Sequence, residues 1–191
     1  TASRQLAELK GLAASMPNQG ILINTLALQE AKDSSAIENI VTTHDELFRS
    51  ATYPDLFASP AAKEVRDYAN ALRVGYGLVT RTGLLTVNHI IALQAELEHN
   101  NAGLRTQSGT VLLNSAREVV YTPPQDPAAI VELMSDLERF INDDATFDAD
   151  PLIKMAIIHH QFESIHPFYD GNGRTGRIVN VLYLVQKGLL N

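Results

Sequence analysis

The sequence predicts an all-α fold that carries a single β-hairpin. Apolar residues recur every three to four positions through most of the 191 residues, a spacing that places them on one face of a helix. In residues 109–122, by contrast, two short β-rich runs flank a polar turn, which is typical of a hairpin. Pro123 and Pro124 end that stretch. We therefore expect helices around one core, with an isolated pair of strands beside them.

Composition narrows the class of protein. Hydrophobic residues make up 45% of the chain and charged residues 19%, as in a globular protein. A net charge of −7 argues against direct nucleic-acid binding. Without cysteine the chain has no disulfide, thiolate nucleophile or cysteine zinc site. No run approaches the ~18 apolar residues of a membrane span, and residues 1–4 do not open a signal peptide. We expect a cytoplasmic protein without a membrane partner.

Four helices are predicted in the first half of the chain. An Ala- and Leu-rich helix over residues 1–15 is followed by a second helix over about residues 21–40, which residues 42–45 are expected to end. A third helix begins with Pro60 in its first turn and continues to Gly77. Thr86 caps a fourth helix that stops before Asn100.

Three further helices are predicted in the second half. Residues 127–141 form an amphipathic helix with one apolar stripe. Residues 151–163 are apolar nearly all round, so this helix is expected to be central and buried. The apolar run over residues 178–185 predicts a last helix. The two final helices flank a loop that contains most of the chemistry.

That loop, with the sequence IHPFYDGNGRTGR over residues 165–177, predicts a phosphate site. A glycine-rich loop that opens into a helix gathers unpaired N–H groups at the positive end of the helix dipole. His166 has an ordinary pKa near ~6.5, so it could accept a proton from a hydroxyl nucleophile. Asp170 offers a hard oxygen that suits Mg²⁺ on a nucleotide.

The remaining loop residues favour anion binding. Gly171 and Gly173, on either side of Asn172, allow positive φ angles and a close approach of the backbone to an anion. Arg174 and Arg177 lie three residues apart, where both guanidinium groups can reach phosphate oxygens. The loop therefore predicts a phosphoryl- or nucleotidyl-transfer site that acts by positioning and electrostatics.

From His166 to Arg177 the chain matches every specified position of HPFxDGNGRxxR, and so resembles the Fic family. The resemblance implies a Fic-type helical domain and a protein adenylyltransferase, which moves AMP from ATP to a Ser, Thr or Tyr hydroxyl of a target protein or of itself. The resemblance leaves undecided whether the protein forms a homodimer. The related death-on-curing kinases carry lysine at the Gly173 position and lack the second arginine.

The resemblance also implies a role for each loop residue. His166 would be the base and Asp170 the Mg²⁺ ligand. Gly171, Asn172 and Gly173 would form the anion hole, and Arg174 and Arg177 would bind the β- and γ-phosphates.

A second pattern lies within the candidate inhibitory helix, residues 21–41. Ser34-x-x-x-Glu38-Asn39 resembles the inhibitory motif [S/T]-x-x-x-E-[G/N] of many Fic proteins. The resemblance implies that Glu38 pairs with Arg177 and blocks the γ-phosphate pocket. A carboxylate and a phosphate oxygen compete for the same guanidinium fork, which supports this interpretation. The alternative is that Glu38 is an ordinary solvent-facing glutamate.

The hairpin over residues 109–122 is the candidate target-binding element. An isolated hairpin has an open edge, and an open edge can pair with an extended peptide. By resemblance it is the flap of Fic proteins, and Val119, Val120 and Tyr121 would hold the target segment beside the histidine. The alternative is a hairpin with a purely structural role.

Residues 1–191 are predicted to form a single Fic-type domain, with the motif helices and loop over residues 152–190. We expect the C-terminal end to be incomplete, because members of the family usually continue with at least one more helix. Two other functions stay open. One is transfer of another nucleotide, or removal of AMP, by the same site. The other is a non-catalytic regulatory module that only holds a nucleotide.

Overall fold

The computed structural model describes residues 2–14, 19–52, 59–145 and 147–190, and it confirms the all-α prediction. Within these residues there are eight helices and one two-stranded antiparallel hairpin. In chain order they are α1 (Ala2–Ala14), α2 (Gln19–Ile37), α3 (His44–Thr52), α4 (Pro60–Thr82), α5 (Val87–Glu98), β1 (Leu112–Leu113), β2 (Val119–Tyr121), α6 (Pro127–Asn142), α7 (Pro151–Ile165) and α8 (Asn172–Gln186).

The long helix α4 organises the core. It packs against α2, α5 and α8, while α8 also packs against α7, and α7 against α6. Each of these central helices contributes fully buried side chains, among them Tyr68, Leu93, Phe162 and Leu182. The loop that joins α7 to α8 is anchored in this core by Phe168, which is fully buried with its ring 6.3 Å from that of Phe162. Burial of a phenylalanine side chain contributes about 1.5–3 kcal/mol, which holds the loop against the helices.

Capping residues set several helix boundaries where the sequence placed them. Ser59 accepts a hydrogen bond from the Ala62 N–H at the start of α4, and Thr86 accepts one from the His89 N–H at the start of α5. Helix α4 is longer than expected, because it passes through Gly77 and ends at Gly83 in the left-handed conformation. Val79 is 2% exposed, so packing of this extra turn outweighs the low helix propensity of glycine.

Helix α2 ends earlier than predicted, and Glu38 lies just beyond it. The Ile40 N–H donates to the Ser35 carbonyl and the Asn39 N–H to the Ala36 carbonyl, both at 3.1 Å. This is a Schellman ending, in which Asn39 takes the left-handed position at φ 63°. Glycine and asparagine tolerate that conformation best, which explains the residue that follows Glu38.

Helix α3 was not predicted. Residues 42–45 were expected only to end the preceding helix, but they also begin a new one. Thr43 Oγ1 accepts a hydrogen bond from the Glu46 N–H at 3.2 Å, and Leu47 is buried against the core. A helix of 9 residues, about two and a half turns, is too short to produce a clear helical repeat in the sequence.

Helix α7 was expected to be central and buried, but only part of its surface is buried. Ile153 is 56% exposed and Ile157 39% exposed, whereas Lys154 is 1% exposed. Helix α7 packs against α6 and α8, so a third side is left to solvent. Lys154 is tolerated inside because its Nζ pairs with Asp144 at 3.0 Å and lies 5.0 Å from the centre of the Phe140 ring.

The predicted hairpin is confirmed, with shorter strands than the β-rich runs suggested. Leu112 pairs with Tyr121 and Leu113 with Val119, which leaves Val120 as a bulge residue without a register partner. Val119 and Val120 are 58% and 61% exposed, so the hairpin stands clear of the core. Across the described ranges, no helix is both long and apolar enough to cross a membrane.

Candidate active site

The loop after α7 is closed by the side chain of Asn172. Its Oδ1 accepts a hydrogen bond from the Phe168 N–H and its Nδ2 donates to the Phe168 carbonyl, both at 2.9 Å. Asn172 is 3% exposed. The sequence analysis placed this residue in the anion hole; because its side chain points inward, only its backbone N–H is left for that role.

The N-terminus of α8 presents backbone N–H groups that no acceptor in the helix uses. The helix begins at Asn172, so Gly173 and Arg174 belong to its first turn. No side chain caps this turn, and the first intrahelical bond is that from the Thr175 N–H to the Gly171 carbonyl. The N–H groups of residues 172–174 therefore have no acceptor within the helix, and they face outward at the positive end of its dipole.

The two loop glycines are needed for different reasons. Gly171 has φ 75°, a left-handed conformation that favours glycine. Gly173 is helical, contrary to the expectation of a positive φ, but a Cβ there would lie 2.5 Å from Glu38 Oε1. Gly173 therefore provides room for an anionic group against the helix terminus, and a glutamate fills that room in this structure.

Glu38 and Ser34 both accept hydrogen bonds from the guanidinium of Arg177. The Arg177 Nη2 donates to Glu38 Oε1 at 2.6 Å and to the Ser34 carbonyl at 3.1 Å. Its Nε donates to Ser34 Oγ at 2.5 Å. The two residues lie one helical turn apart, so both meet the same guanidinium. The pairing of Glu38 with Arg177 implied by the sequence pattern is present as a direct contact.

Arg174 is surrounded by three carboxylates. Its Nη1 donates to Glu64 Oε2 and its Nη2 to Glu98 Oε1, both at 2.8 Å. Its Nε lies 3.1 Å from Glu38 Oε2, close enough for an ion pair but not aligned for a hydrogen bond. Burial raises the pKa of Glu98, and the charge of Arg174 only partly offsets this. Glu38 is thus shared by both arginines, on the side where an incoming anion would bind.

Glu64 and Glu98 were missed by the sequence analysis. They lie on α4 and α5, 110 and 76 residues from Arg174 in the chain. No local spacing relates such positions, because only the packing of α4 and α5 against α8 brings them together. The sequence offered only a weak indication of these two residues, namely that each is a charged residue beside a buried helix face.

The surroundings of His166 disfavour the protonated form of its ring. It ends α7 in the left-handed region, with φ 49° and ψ 60°, and its N–H donates to the Phe162 carbonyl at 3.0 Å. Burial lowers the pKa of His166, and the positive charge of Arg105 lowers it further. Asp170 acts in the opposite direction, and more weakly. A pKa below the ordinary value keeps the ring unprotonated near pH 7, which is the state that can accept a proton.

Asp170 is exposed and available to a cation. Its Oδ1 accepts a hydrogen bond from the Gly171 N–H at 2.8 Å. Within the described ranges there is no cluster of three or more His, Asp or Glu side chains that could hold a metal ion. A single exposed carboxylate beside an anion site fits a Mg²⁺ ion that arrives on a nucleotide, because Mg²⁺ commonly binds through one carboxylate and the substrate phosphates.

The hairpin is attached next to His166. The Tyr121 hydroxyl donates to the Ser164 carbonyl at 3.0 Å. On the other side of the histidine, the Tyr169 hydroxyl accepts hydrogen bonds from the N–H groups of Thr106 and Gln107, at 2.9 and 3.1 Å. Val119 and Val120 remain exposed, whereas Tyr121 anchors the hairpin through its side chain.

Family comparisons cover nearly the whole chain. Residues 1–77 match the sequence model described as Fic/DOC family N-terminal, and residues 84–184 match that of the Fic/DOC family. The second match contains His166, Asp170, Arg174 and Arg177, and the first contains Glu38.

Similarity to named relatives is confined to part of the chain. This chain is 37% identical over 65 residues to protein adenylyltransferase fic-1 of Caenorhabditis elegans. It is 42% identical over 72 residues to a probable protein adenylyltransferase of Aquifex aeolicus. The aligned segments make up 34% and 37% of this chain, and 13% and 21% of those proteins. The matched part is therefore a small fraction of each relative.

Solved structures share the architecture at low sequence identity. A Fic domain containing signaling protein from Bacteroides thetaiotaomicron superposes with a TM-score of 0.80 at 20% identity, over 98% of this chain and 74% of that one. Fic-1 from Caenorhabditis elegans superposes with a TM-score of 0.74 at 21% identity, over 97% of this chain and 57% of that one. At such identities the likeness establishes the fold alone.

Proposed function

Because this chain belongs to the Fic/DOC family, we propose that it is a protein adenylyltransferase that moves AMP from ATP to a hydroxyl group of a protein. One observation carries the proposal. A neutral histidine, His166, and an uncapped helix N-terminus that can bind phosphate lie on the same short, core-anchored loop. Relatives named as protein adenylyltransferases support the choice of AMP as the transferred group.

The geometry suits an in-line displacement. His166 accepts the proton of a Ser, Thr or Tyr hydroxyl as that oxygen attacks the α-phosphorus of ATP. A new oxygen–phosphorus bond forms, the bond from the α-phosphorus to the bridging oxygen breaks, and pyrophosphate leaves. The N–H groups of residues 172–174 bind the phosphate oxygens. Arg174 and Arg177 stabilise the negative charge of the leaving pyrophosphate.

Asp170 is the residue that would hold Mg²⁺. When bound, the ion neutralises charge on the nucleotide phosphates. We expect Asp170→Ala to lower AMP transfer by roughly 100-fold or more, since a metal contributes several kcal/mol. The activity that remains should no longer respond to Mg²⁺. The measurement is a Mg²⁺ titration of initial rates in wild type and variant.

Asp170→Asn is the matched control for that experiment. Its amide oxygen can still accept the hydrogen bond from the Gly171 N–H, so the loop is preserved while the charge is removed. Asp170→Asn should behave like Asp170→Ala in the Mg²⁺ titration. A normal titration curve in either variant would remove Asp170 from the metal site.

The hairpin is proposed to bind the target through its backbone. Val120 has no register partner on β1, so proline disrupts the hairpin least at that position. Val120→Pro removes one main-chain donor and should raise the KM for the target by roughly 2- to 10-fold, the value of one hydrogen bond, while the KM for ATP stays constant. Val120→Thr keeps the donor and the β-branched shape, and should match wild type. Equal effects on both KM values would mean a purely structural hairpin.

Isotope labelling tests the proposed reaction. The protein is incubated with Mg²⁺ and either α-³²P-ATP or γ-³²P-ATP, and its own modification is followed. AMP transfer requires protein label from the first nucleotide and none from the second. Label from γ-³²P-ATP would indicate a kinase, and stronger label from α-³²P-UTP or α-³²P-GTP would indicate another nucleotide. Nucleotide binding without label on any acceptor would favour the regulatory module.

A further inference from the structure

Arg105 is a buried cation that neither the sequence motif nor the proposed reaction uses. It is 1% exposed, in the segment between α5 and β1. No carboxylate among the described residues forms an ion pair with it. A charge buried without a counter-ion is costly, so its partners indicate what it does.

Those partners are backbone carbonyls of the loop that carries His166. The Arg105 Nε donates to the His166 carbonyl at 2.8 Å, and its Nη2 lies 3.4 Å from the Ile165 carbonyl. The Arg105 backbone N–H donates to the Pro167 carbonyl at 2.8 Å. One residue therefore holds three consecutive carbonyls, with His166 in the middle.

This contact stabilises an unfavourable backbone conformation. His166 has φ 49°, in the left-handed region, where the Cβ of an L-residue lies too close to the following carbonyl oxygen. Helix α7 has no basic residue in its own last turn, so its C-terminal carbonyls need donors from elsewhere. The guanidinium of Arg105 supplies both the hydrogen bonds and the positive charge that a helix C-terminus favours.

The same guanidinium also reaches the base of the hairpin. Its Nη2 donates to the carbonyl of Pro124, three residues after β2 ends. Gln125 ties the two legs of the hairpin together, because its Nε2 donates to the Thr110 carbonyl at 3.0 Å and its Oε1 accepts from the Gly109 N–H at 2.6 Å. Arg105 is thus bonded to both the hairpin base and the His166 backbone.

We propose that Arg105 is a positioning residue, whose guanidinium fixes the orientation of His166 and ties it to the hairpin that presents the target. The inference rests on the proposed function in one respect, namely that His166 is the base. A lysine could replace the charge but not the planar fork, which reaches several acceptors at once. A small misplacement of the base is enough to slow a positioned reaction.

Two substitutions separate the charge of Arg105 from its hydrogen bonds. Arg105→Lys keeps a cation, and Arg105→Met removes it at similar length. The charges that act on the His166 ring are Arg105, which lowers its pKa, and Asp170, which raises it, while the backbone of Glu163 on α7 also raises it. The pKa of His166 should therefore rise in Arg105→Met, which lacks the charge, and change little in Arg105→Lys, which keeps it.

The experiment uses the whole chain with ¹³C-labelled histidine. NMR titration follows His166, assigned among the six histidines by comparison with His166→Asn, and amide exchange follows residues 165–168. Self-modification with α-³²P-ATP and calorimetry with ATP give kcat and the Kd. In both variants we expect faster exchange, kcat lower by about 10- to 100-fold and an ATP Kd within twofold of wild type. Arg139→Met, which removes an exposed arginine, should change none of these.

The outcomes are distinguishable. Wild-type kcat and exchange in Arg105→Lys would overturn the positioning role. If Arg105→Met does not fold, kcat and amide exchange in Arg105→Lys alone decide whether Arg105 positions His166. If wild type transfers no AMP, the proposed function fails, while the His166 titration and amide exchange still test Arg105. An unchanged His166 pKa in folded Arg105→Met, with unchanged exchange, would overturn the inference.

Discussion

Replacing His166 with alanine should lower kcat for AMP transfer by about 10²–10⁴-fold and leave ATP affinity nearly unchanged. The base acts on the incoming hydroxyl, whereas the phosphates are bound by the first turn of α8 and by Arg177. Single-turnover labelling with α-³²P-ATP measures the rate, and calorimetry measures the Kd.

His166→Asn is the control for backbone strain. Alanine at φ 49° is strained, whereas asparagine adopts the left-handed conformation readily and provides no general base. Both variants should lose activity to the same extent. A tenfold weaker ATP affinity in His166→Asn would show that the histidine binds nucleotide, and the assignment of roles would then be wrong.

The second large effect is expected at Glu38. Its carboxylate contacts Arg177 at 2.6 Å and Arg174 at 3.1 Å, and it lies against Gly173, where a phosphate oxygen would bind. We propose that this contact inhibits the enzyme by holding ATP in a pose unsuited to in-line attack. Glu38→Gly should raise self-modification roughly 5- to 150-fold, for a coupling free energy of ~1–3 kcal/mol. Rates of α-³²P-ATP incorporation measure the gain.

Two controls define the mechanism of that gain. Asp33→Ala removes an exposed carboxylate of α2 whose ion-pair partner is Lys32, so it should leave the rate unchanged. Glu38→Gly combined with Arg177→Ala should show no gain, because the group that Glu38 blocks is then absent. If Glu38→Gly has a wild-type or reduced rate, Glu38 is an ordinary surface residue and the inhibitory role is wrong.

The sequence predicted the features that depend on neighbouring residues. The all-α fold and the hairpin follow from the repeat of apolar residues and from turn chemistry, each of which acts over a few positions. The starts of α4 and α5 follow from Ser59 and Thr86, whose side chains bond N–H groups three residues ahead. The loop over residues 165–177 was recognisable because its chemical groups are contiguous in the chain.

Tertiary structure decided what those residues meet. Glu64, Glu98 and Arg105 bond groups 61 to 110 residues away in the chain, and no local pattern signals such partners. Helix packing also buries Lys154 and exposes Ile153. Local propensity is set by interactions within a turn or two of the chain, so it can be read from the sequence. A contact between distant segments exists only once the helices have packed, and this is why the partners of Arg174 on α4 and α5, and the contacts of Arg105 with the His166 backbone, required the structure.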